Sequence, residues 1–512
     1  MDLRASSSLH PSPPGETLGA LRFVNGYAGL PEAFHTRLAP EPLPEPYLVG
    51  YSASAGALIG LGPETARDPD FVQVFSGNRI PPGADPLAAV YSGHQFGVYV
   101  PRLGDGRALL LGEVSGPDGA GWEVQLKGSG RTPYSRSGDG RAVLRSSIRE
   151  FLGSEAMAGL GIPTTRALAV IGADTPVMRE TVETAAVVTR MAASFVRFGS
   201  FEYFAHHGRT EELRQLADFV IARHYPQAAA EPEPVLALLA EVVARTARLV
   251  AQWQGVGFMH GVLNTDNMSI LGLTLDYGPF QFMDGFDAHH ICNHSDTHGR
   301  YSYANQPDIG LWNLYALAQA LLPLSKSVEA TQAVLDTYRT HFAAALEKIF
   351  HAKLGLLSVL ETDEALIDGL LSRLHAGRVD WTLFWRRLAG LRLDASRPED
   401  DAEVRDLFAD RAAFDAWAVD FRARLRQEGQ SGARDVERAA RMRAVNPCYV
   451  LRNWMAEEAI AAARGDVGAR DFAPVERLRR LLERPYEEQP GAERYAALPP
   501  DWAGNIALSC SS

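Results

Sequence analysis

Between residues 96 and 191 the hydrophobic pattern changes period in a fixed order, and that order restricts the possible folds more than any other feature. Gly97-Val98-Tyr99-Val100 and Arg107-Ala108-Leu109-Leu110-Leu111 read as two strands joined through Gly104-Asp105-Gly106. An Asp-Gly pair between apolar runs is a hairpin signal. Trp122 to Lys127 then alternates, with Trp122, Val124 and Leu126 on one side and Glu123, Gln125 and Lys127 on the other. A Gly- and Ser-rich loop ends at Asp139-Gly140. From Arg141 to Leu160 the spacing predicts a helix, with Val143, Leu144, Ile148, Phe151 and Leu152 on its apolar face. Thr165 to Ile171 and Ala185 to Met191 read as two more strands.

Hairpin, lysine strand, helix bearing Glu150 and two strands is the order of the small lobe of a protein kinase. The second half reads as helical. Apolar side chains from Val235 to Trp253 fall at helical spacing, and this helix leads into His260-Gly261-Val262-Leu263-Asn264-Thr265-Asp266-Asn267. Two short strands, Met268 to Leu271 and Leu273 to Leu275, are expected to deliver Asp276-Tyr277-Gly278, and Asp308 to Asn313 to open another buried helix. More helices are expected beyond His341, with no chemistry evident in their pattern.

A chain of 512 residues exceeds the usual limit of one hydrophobic core. The expected fold is therefore α+β: a bilobal protein-kinase-like fold with a small, mostly β N-lobe, a helical C-lobe and extra N- and C-terminal segments. The expected divisions are 1–88 (an extension wrapping the lobes), 89–205 (nucleotide-binding N-lobe), 206–345 (C-lobe with catalytic loop and metal site) and 346–512 (a helical region). Prolines 40, 42, 44 and 46 suggest an extended arm over a surface.

A net charge of −12 argues against general nucleic-acid binding. No apolar stretch is long enough for a bilayer, and Met1 to Glu16 has no apolar secretion core, so a cytoplasmic, bacterial-type location is expected. Cys292, Cys448 and Cys510 are too few and too scattered for a disulfide framework. The chain has only four lysines (Lys127, Lys326, Lys348 and Lys353), so Lys127 is the sole lysine of the first 325 residues. A lone lysine among arginines suggests a site that wants a compact ammonium, against the alternative of chance at low lysine content.

Each motif is weak by itself. An Asp-Gly turn is more often only a turn, and Lys127 and Glu150 could each be solvated charges. Together they match a site in which a glycine-rich loop approaches phosphates and a strand lysine pairs with phosphate and with a helix glutamate. Asn267 and Asp276 offer hard oxygen ligands for a metal. One departure stands out. The kinase catalytic loop carries an Asp five residues before the metal-binding Asn; here that position is Val262, which cannot accept a proton, and Asp266 is the nearest substitute. Arg131, Arg136, Arg141, Arg145, Arg190 and Arg197 add cations near the small lobe. Arg190 and Arg197 suit a terminal phosphate, while Arg141 and Arg145 read as a solvated rim. His289, His290, Cys292, His294, Asp296 and His298 raise a zinc site, although their spacing fits no structural pattern and a substrate-facing or redox-sensitive loop is the alternative.

These residues resemble the selenoprotein O family. The resemblance runs through Tyr91 to Gly97, Leu103 to Arg107, Lys127 to Arg136, Gly138 to Phe151 and His260 to Asn267, and the closing Cys510-Ser511-Ser512 is similar to the family's tail. It implies a pseudokinase by sequence that moves AMP from ATP onto protein Ser, Thr or Tyr hydroxyls, with ATP flipped so that its α-phosphorus faces the acceptor. On this chain it implies nucleotide contacts from Gly104, Gly106, Arg107, Asp139, Gly140, Arg190 and Arg197. Lys127, oriented by Glu150, would neutralise phosphate, Asn267 and Asp276 would hold Mg²⁺ or Mn²⁺, and Asp266 would be the base. The implied partners are ATP and hydroxyl-bearing proteins, with neither nucleic acid nor membrane; UTP is an alternative nucleotide. A redox link between Cys292 and Cys510 is also implied. Against this stand two other readings: a phosphotransferase with a displaced base, and an ATP-binding scaffold without catalysis.

Overall fold

Ala108–Ser115 is buried at every position and Gly121–Lys127 at four of its seven, so both strands need neighbours on either edge. They find them in a nine-stranded sheet whose pairs are all antiparallel. The order is His35–Arg37, Leu87–Ala89, Ala108–Ser115, Gly121–Lys127, Val182–Ala192, Arg166–Met178 and Tyr47–Tyr51. Phe23–Val24 and Ala142–Val143 pair off this path. This computed structural model describes residues 17–395 and 397–509. The architecture is mixed α/β, an antiparallel sheet with many helices. No described helix is long and apolar enough to cross a membrane.

The strand order corrects the hairpin expected around Gly104-Asp105-Gly106. Val98–Val100 leaves the main sheet and pairs with Gly93–Gln95 in a separate two-stranded unit, turning at Phe96 and Gly97, whose φ values are +50° and +81°. The Asp-Gly pair lies instead in a loop between the two sheets. Its Asp105 is buried, and the carboxylate accepts from Ala89 N at 3.1 Å and from Gln125 Nε2 at 3.3 Å, which ties the loop inward. The hairpin in this region joins Ala108–Ser115 to Gly121–Lys127. Residues before position 89 supply the strands at 23–24, 35–37 and 47–51, and the expected division after residue 88 falls within Leu87–Ala89.

The helix expected from Arg141 begins at Leu144 and runs to Gly159, because Ala142 and Val143 first pair with Ala186 and Ala185. Met268 to Leu271 and Leu273 to Leu275 do not form strands. Only single bridges exist there, Ser269 to Arg197 and Thr274 to Thr164, since Ile270 and Leu275 turn into the core instead of a ladder. The helices Pro234–Val256 and Gln306–Ser325 form where the spacing places them. Gly257 ends the first at φ +70°, and a Cβ there would sit 2.7 Å from Trp381 Cδ1. Further helices follow residue 341. Among them Asn453–Arg464 and Ala473–Glu483 pack against Leu144–Gly159, so the end of the chain braces the Glu150 helix.

Lys353, on Val328–Leu354, is buried with Nζ 4.7 Å from the Trp385 ring centre. Burial pushes its amine down to about 7. The unfolded chain, with an ordinary lysine, binds more protons between about pH 7 and 10.5, so this residue's contribution to stability improves as pH rises through that window. Lys353→Met is expected to raise stability at pH 7 by on the order of 2–4 kcal/mol and to shrink the gain between pH 7 and 10. Denaturant unfolding of both proteins at the two pH values checks this.

Candidate active site

Lys127 ends its strand facing the helix Leu144–Gly159, and its Nζ lies 2.7 Å from Glu150 Oε2 and 3.8 Å from Asp276 Oδ1. Cross-strand register sets Arg190 opposite Gln125. The buried Arg190 guanidinium donates to Gln125 Oε1, to Glu150 Oε1 at 3.2 Å and to Asp276 Oδ1. Arg197 donates to Asp276 Oδ2 and, at 2.8 Å, to the Asp266 carbonyl. Asp276 thus gathers three cations. Burial alone would raise its pKa, but Arg197, Arg190 and Lys127 hold the carboxyl well below the usual carboxylate range. Its backbone is left-handed at φ +59°, a conformation uncommon outside glycine that turns the side chain into this cluster.

The loop before it is equally fixed. His260 is buried and donates from Nε2 to the Leu275 carbonyl at 2.9 Å. Asn267 Nδ2 donates to Val262 O at 2.9 Å, which leaves the amide oxygen as its acceptor. Asp266 Oδ2 accepts from Gln95 Nε2 at 3.1 Å, while Oδ1 is buried with no hydrogen-bond partner among the described residues. Burial pushes the Asp266 carboxyl up to about 6, and Gln95 and Arg197 oppose that rise.

Gln95, Lys127, Glu150, Arg190, Arg197, Asp266, Asn267 and Asp276 border one cavity of roughly 700 Å³, within the size range of small-molecule sites. The structure brings all twelve sequence-predicted site residues to its wall: Gly104, Gly106, Arg107, Lys127, Asp139, Gly140, Glu150, Arg190, Arg197, Asp266, Asn267 and Asp276. Gly104 (φ +102°) approaches Tyr134 so closely that a Cβ would lie 2.5 Å from Cγ. Arg107 borders the cavity with no side-chain hydrogen bond to any described residue, leaving its guanidinium for an anion. Asp139 is already paired with Arg179 at 2.7 Å and accepts from Arg141 N at 2.9 Å, which fixes the wall beside Gly140.

Arg141 and Arg145 are not a solvated rim. Arg141 donates to the Pro42 carbonyl at 2.9 Å, pinning the proline arm, and Arg145 pairs with Glu183 at 3.0 Å. The sequence reading gave no role to Arg179, Gln125 or Gln95. Gln125 shared the predicted face of Lys127, and that shared face was the available signal. The histidine segment does not converge. Among the described residues no group of three or more His, Cys, Asp or Glu is placed to hold a metal. His290 Nε2 meets Gln281 Oε1 at 3.0 Å, and the backbone of His294 donates to the Leu508 carbonyl at 3.0 Å. Cys292 is buried beside Gly261; Cys510, its expected redox partner, lies outside the described residues.

The profile of the family described as protein adenylyltransferase SelO matches residues 17–482. The chain is 56% identical over 497 residues to the protein nucleotidyltransferase YdiU of Thioalkalivibrio sulfidiphilus, covering 96% of this chain and 99% of the relative. It is 57% identical to the YdiU of Dechloromonas aromatica over 494 residues (96% and 97%) and 58% identical to that of Burkholderia multivorans over 507 (96% and 95%). With matches this long, the chain belongs to the SelO family of protein adenylyltransferases.

Proposed function

We propose that this protein transfers AMP from ATP to Ser, Thr or Tyr hydroxyls of other proteins and releases pyrophosphate. The observation that carries the reading is the set of cations within one cavity, Lys127, Arg190, Arg197 and Arg107, whose side chain hydrogen-bonds no described residue, with the Asp266 carboxylate beside them and no carboxylate at Val262. The sheet with the Glu150 helix corresponds to a kinase-like small lobe and the helices after residue 206 to a large lobe, with additional segments before 89 and after 345.

In this reading ATP lies flipped, its α-phosphorus toward Asp266. Asp266 takes the proton of the acceptor hydroxyl, the hydroxyl oxygen bonds to the α-phosphorus, and the bond from that phosphorus to the bridging oxygen breaks. Pyrophosphate carries that oxygen away. Lys127 and Arg190, both held by Glu150, and Arg197 neutralise charge on the phosphate chain. Gly104 and Gly106 let the loop come close to the nucleotide, and Arg107, with the wall at Asp139 and Gly140, meets its other end.

The Asn267 amide oxygen and the Asp276 carboxylate fit a Mg²⁺ or Mn²⁺ ion. A carboxylate has about four lone-pair sites, so two arginine contacts leave room for a metal bond. Three surrounding cations disfavour a metal alone, and the anionic phosphates would supply the remaining ligands and the compensating charge. When bound, the ion would draw charge from the phosphate oxygens.

Label position tests the proposal. With ATP labelled at the α-phosphorus, acceptor protein becomes labelled; with γ-labelled ATP it does not. Label from γ-phosphorus alone indicates a kinase with a relocated base, and label from neither a scaffold. Parallel reactions with α-labelled UTP measure nucleotide choice, for which faster transfer from ATP is expected.

A further inference from the structure

The two-stranded hairpin Gly93–Val100 stands outside the main sheet and lies against the loop that carries Asp266. Three successive residues each hold a different residue of that loop. His94 N donates to Thr265 Oγ1 at 2.7 Å, Gln95 Nε2 to Asp266 Oδ2 at 3.1 Å, and Phe96 N to Asn264 Oδ1 at 3.1 Å. Gly93 completes the contact: a Cβ there would come within 2.9 Å of Thr265 Oγ1 and 3.0 Å of Asp266 Cβ. The hairpin is itself anchored. His94 Nδ1 meets the buried Glu202 carboxylate, Phe96 N also donates to Tyr301 OH at 3.0 Å, and Tyr99 OH donates to Ser92 Oγ at 3.0 Å.

We propose that this hairpin holds the base in place, with Gln95 as its positioning residue. The inference rests on the reading of Asp266 as the base. Gln95 is the one described side chain that hydrogen-bonds the Asp266 carboxylate, since Arg197 reaches residue 266 only through its carbonyl. A carboxylate rotates freely about its last bond unless one oxygen is fixed. By donating to Oδ2, Gln95 fixes the rotation of the carboxylate and with it the direction from which the carboxylate receives the acceptor proton. In the kinase frame the base stands at the position of Val262. Moving it to Asp266 removes whatever oriented it there, and the hairpin supplies the orientation from a segment 171 residues away. The strained turn, with Phe96 at φ +50°, is the local cost of aiming Gln95 this way.

Gln95→Met keeps the approximate length of the side chain and removes the amide that donates to Asp266. With α-labelled ATP and casein as acceptor, it is expected to lower apparent kcat by ten- to a hundredfold while KM and calorimetric Kd for ATP stay within about twofold. An unchanged ATP Kd also shows that the variant is folded. In an Asp266→Asn background the same change is expected to cost nothing further, because there is no base left to position. Wild-type kcat in Gln95→Met, with Asp266→Asn slow, overturns this inference and leaves the base reading standing. Equal losses from Gln95→Met in both backgrounds also overturn it, since they mark a merely structural role. Wild-type transfer by Asp266→Asn overturns the base reading and this inference with it.

Discussion

Asp276→Ala is expected to lower nucleotide transfer by a thousandfold or more without abolishing nucleotide binding. Asp276 is at once a candidate metal ligand and the counter-charge of Arg190, Arg197 and Lys127. Its loss removes the anion that would attract a metal and leaves three cations facing the cavity. Binding of ATP without divalent ions is therefore expected to be unchanged or tighter, while transfer disappears. Removing one member of a buried ion network also costs about 3–5 kcal/mol of stability. Asp276→Asn, which keeps the volume and part of the hydrogen bonding, separates loss of function from loss of fold. Titration of ATP with and without Mg²⁺, beside label transfer, measures both halves; full transfer by Asp276→Asn contradicts the assignment.

Lys127→Ala is expected to slow transfer by about 10²–10³, the loss typical for removing one preorganised donor. The fold is expected to tolerate it, because Glu150 keeps Arg190 at 3.2 Å and the helix remains tied to the sheet. Lys127→Arg is not expected to restore the rate. Arg carries the same charge on a longer, planar fork, whereas Lys127 Nζ sits as a compact ammonium 2.7 Å from Glu150 Oε2 and 3.8 Å from Asp276 Oδ1, beside the Arg190 guanidinium that already bonds both carboxylates. Kinetics of the Ala and Arg variants with their melting midpoints check the pair. A Lys127→Arg enzyme at wild-type rate would show that only charge matters at this position.

Much of the site was legible because its signals are local. Period-two alternation puts Lys127 and Gln125 on one face of a strand, and period 3.6 puts Glu150 on a helix. The motif frame finds Val262 where a base belongs. What failed was non-local. The loop at Gly104-Asp105-Gly106 looks like a hairpin from its own residues, but strands 23–24 and 87–89 take edges of Ala108–Ser115, and Asp105 is bonded inward. The stretch 268–275 has strand-like residues and no ladder to join. Nothing local marks Gln95 or Arg179, since their partners Asp266 and Asp139 are far along the chain and no periodicity points to them. Arg141 and Arg145 looked like solvated charge for the same reason: Pro42 and Glu183 are remote in sequence.

The central claim, that the chemistry occurs at the α-phosphorus, is tested most directly by the intact mass of an acceptor protein after incubation with ATP, Mg²⁺ and this enzyme. The account predicts a mass increase equal to one AMP moiety, absent with Asp276→Asn. An increase equal to one phosphate group would contradict it.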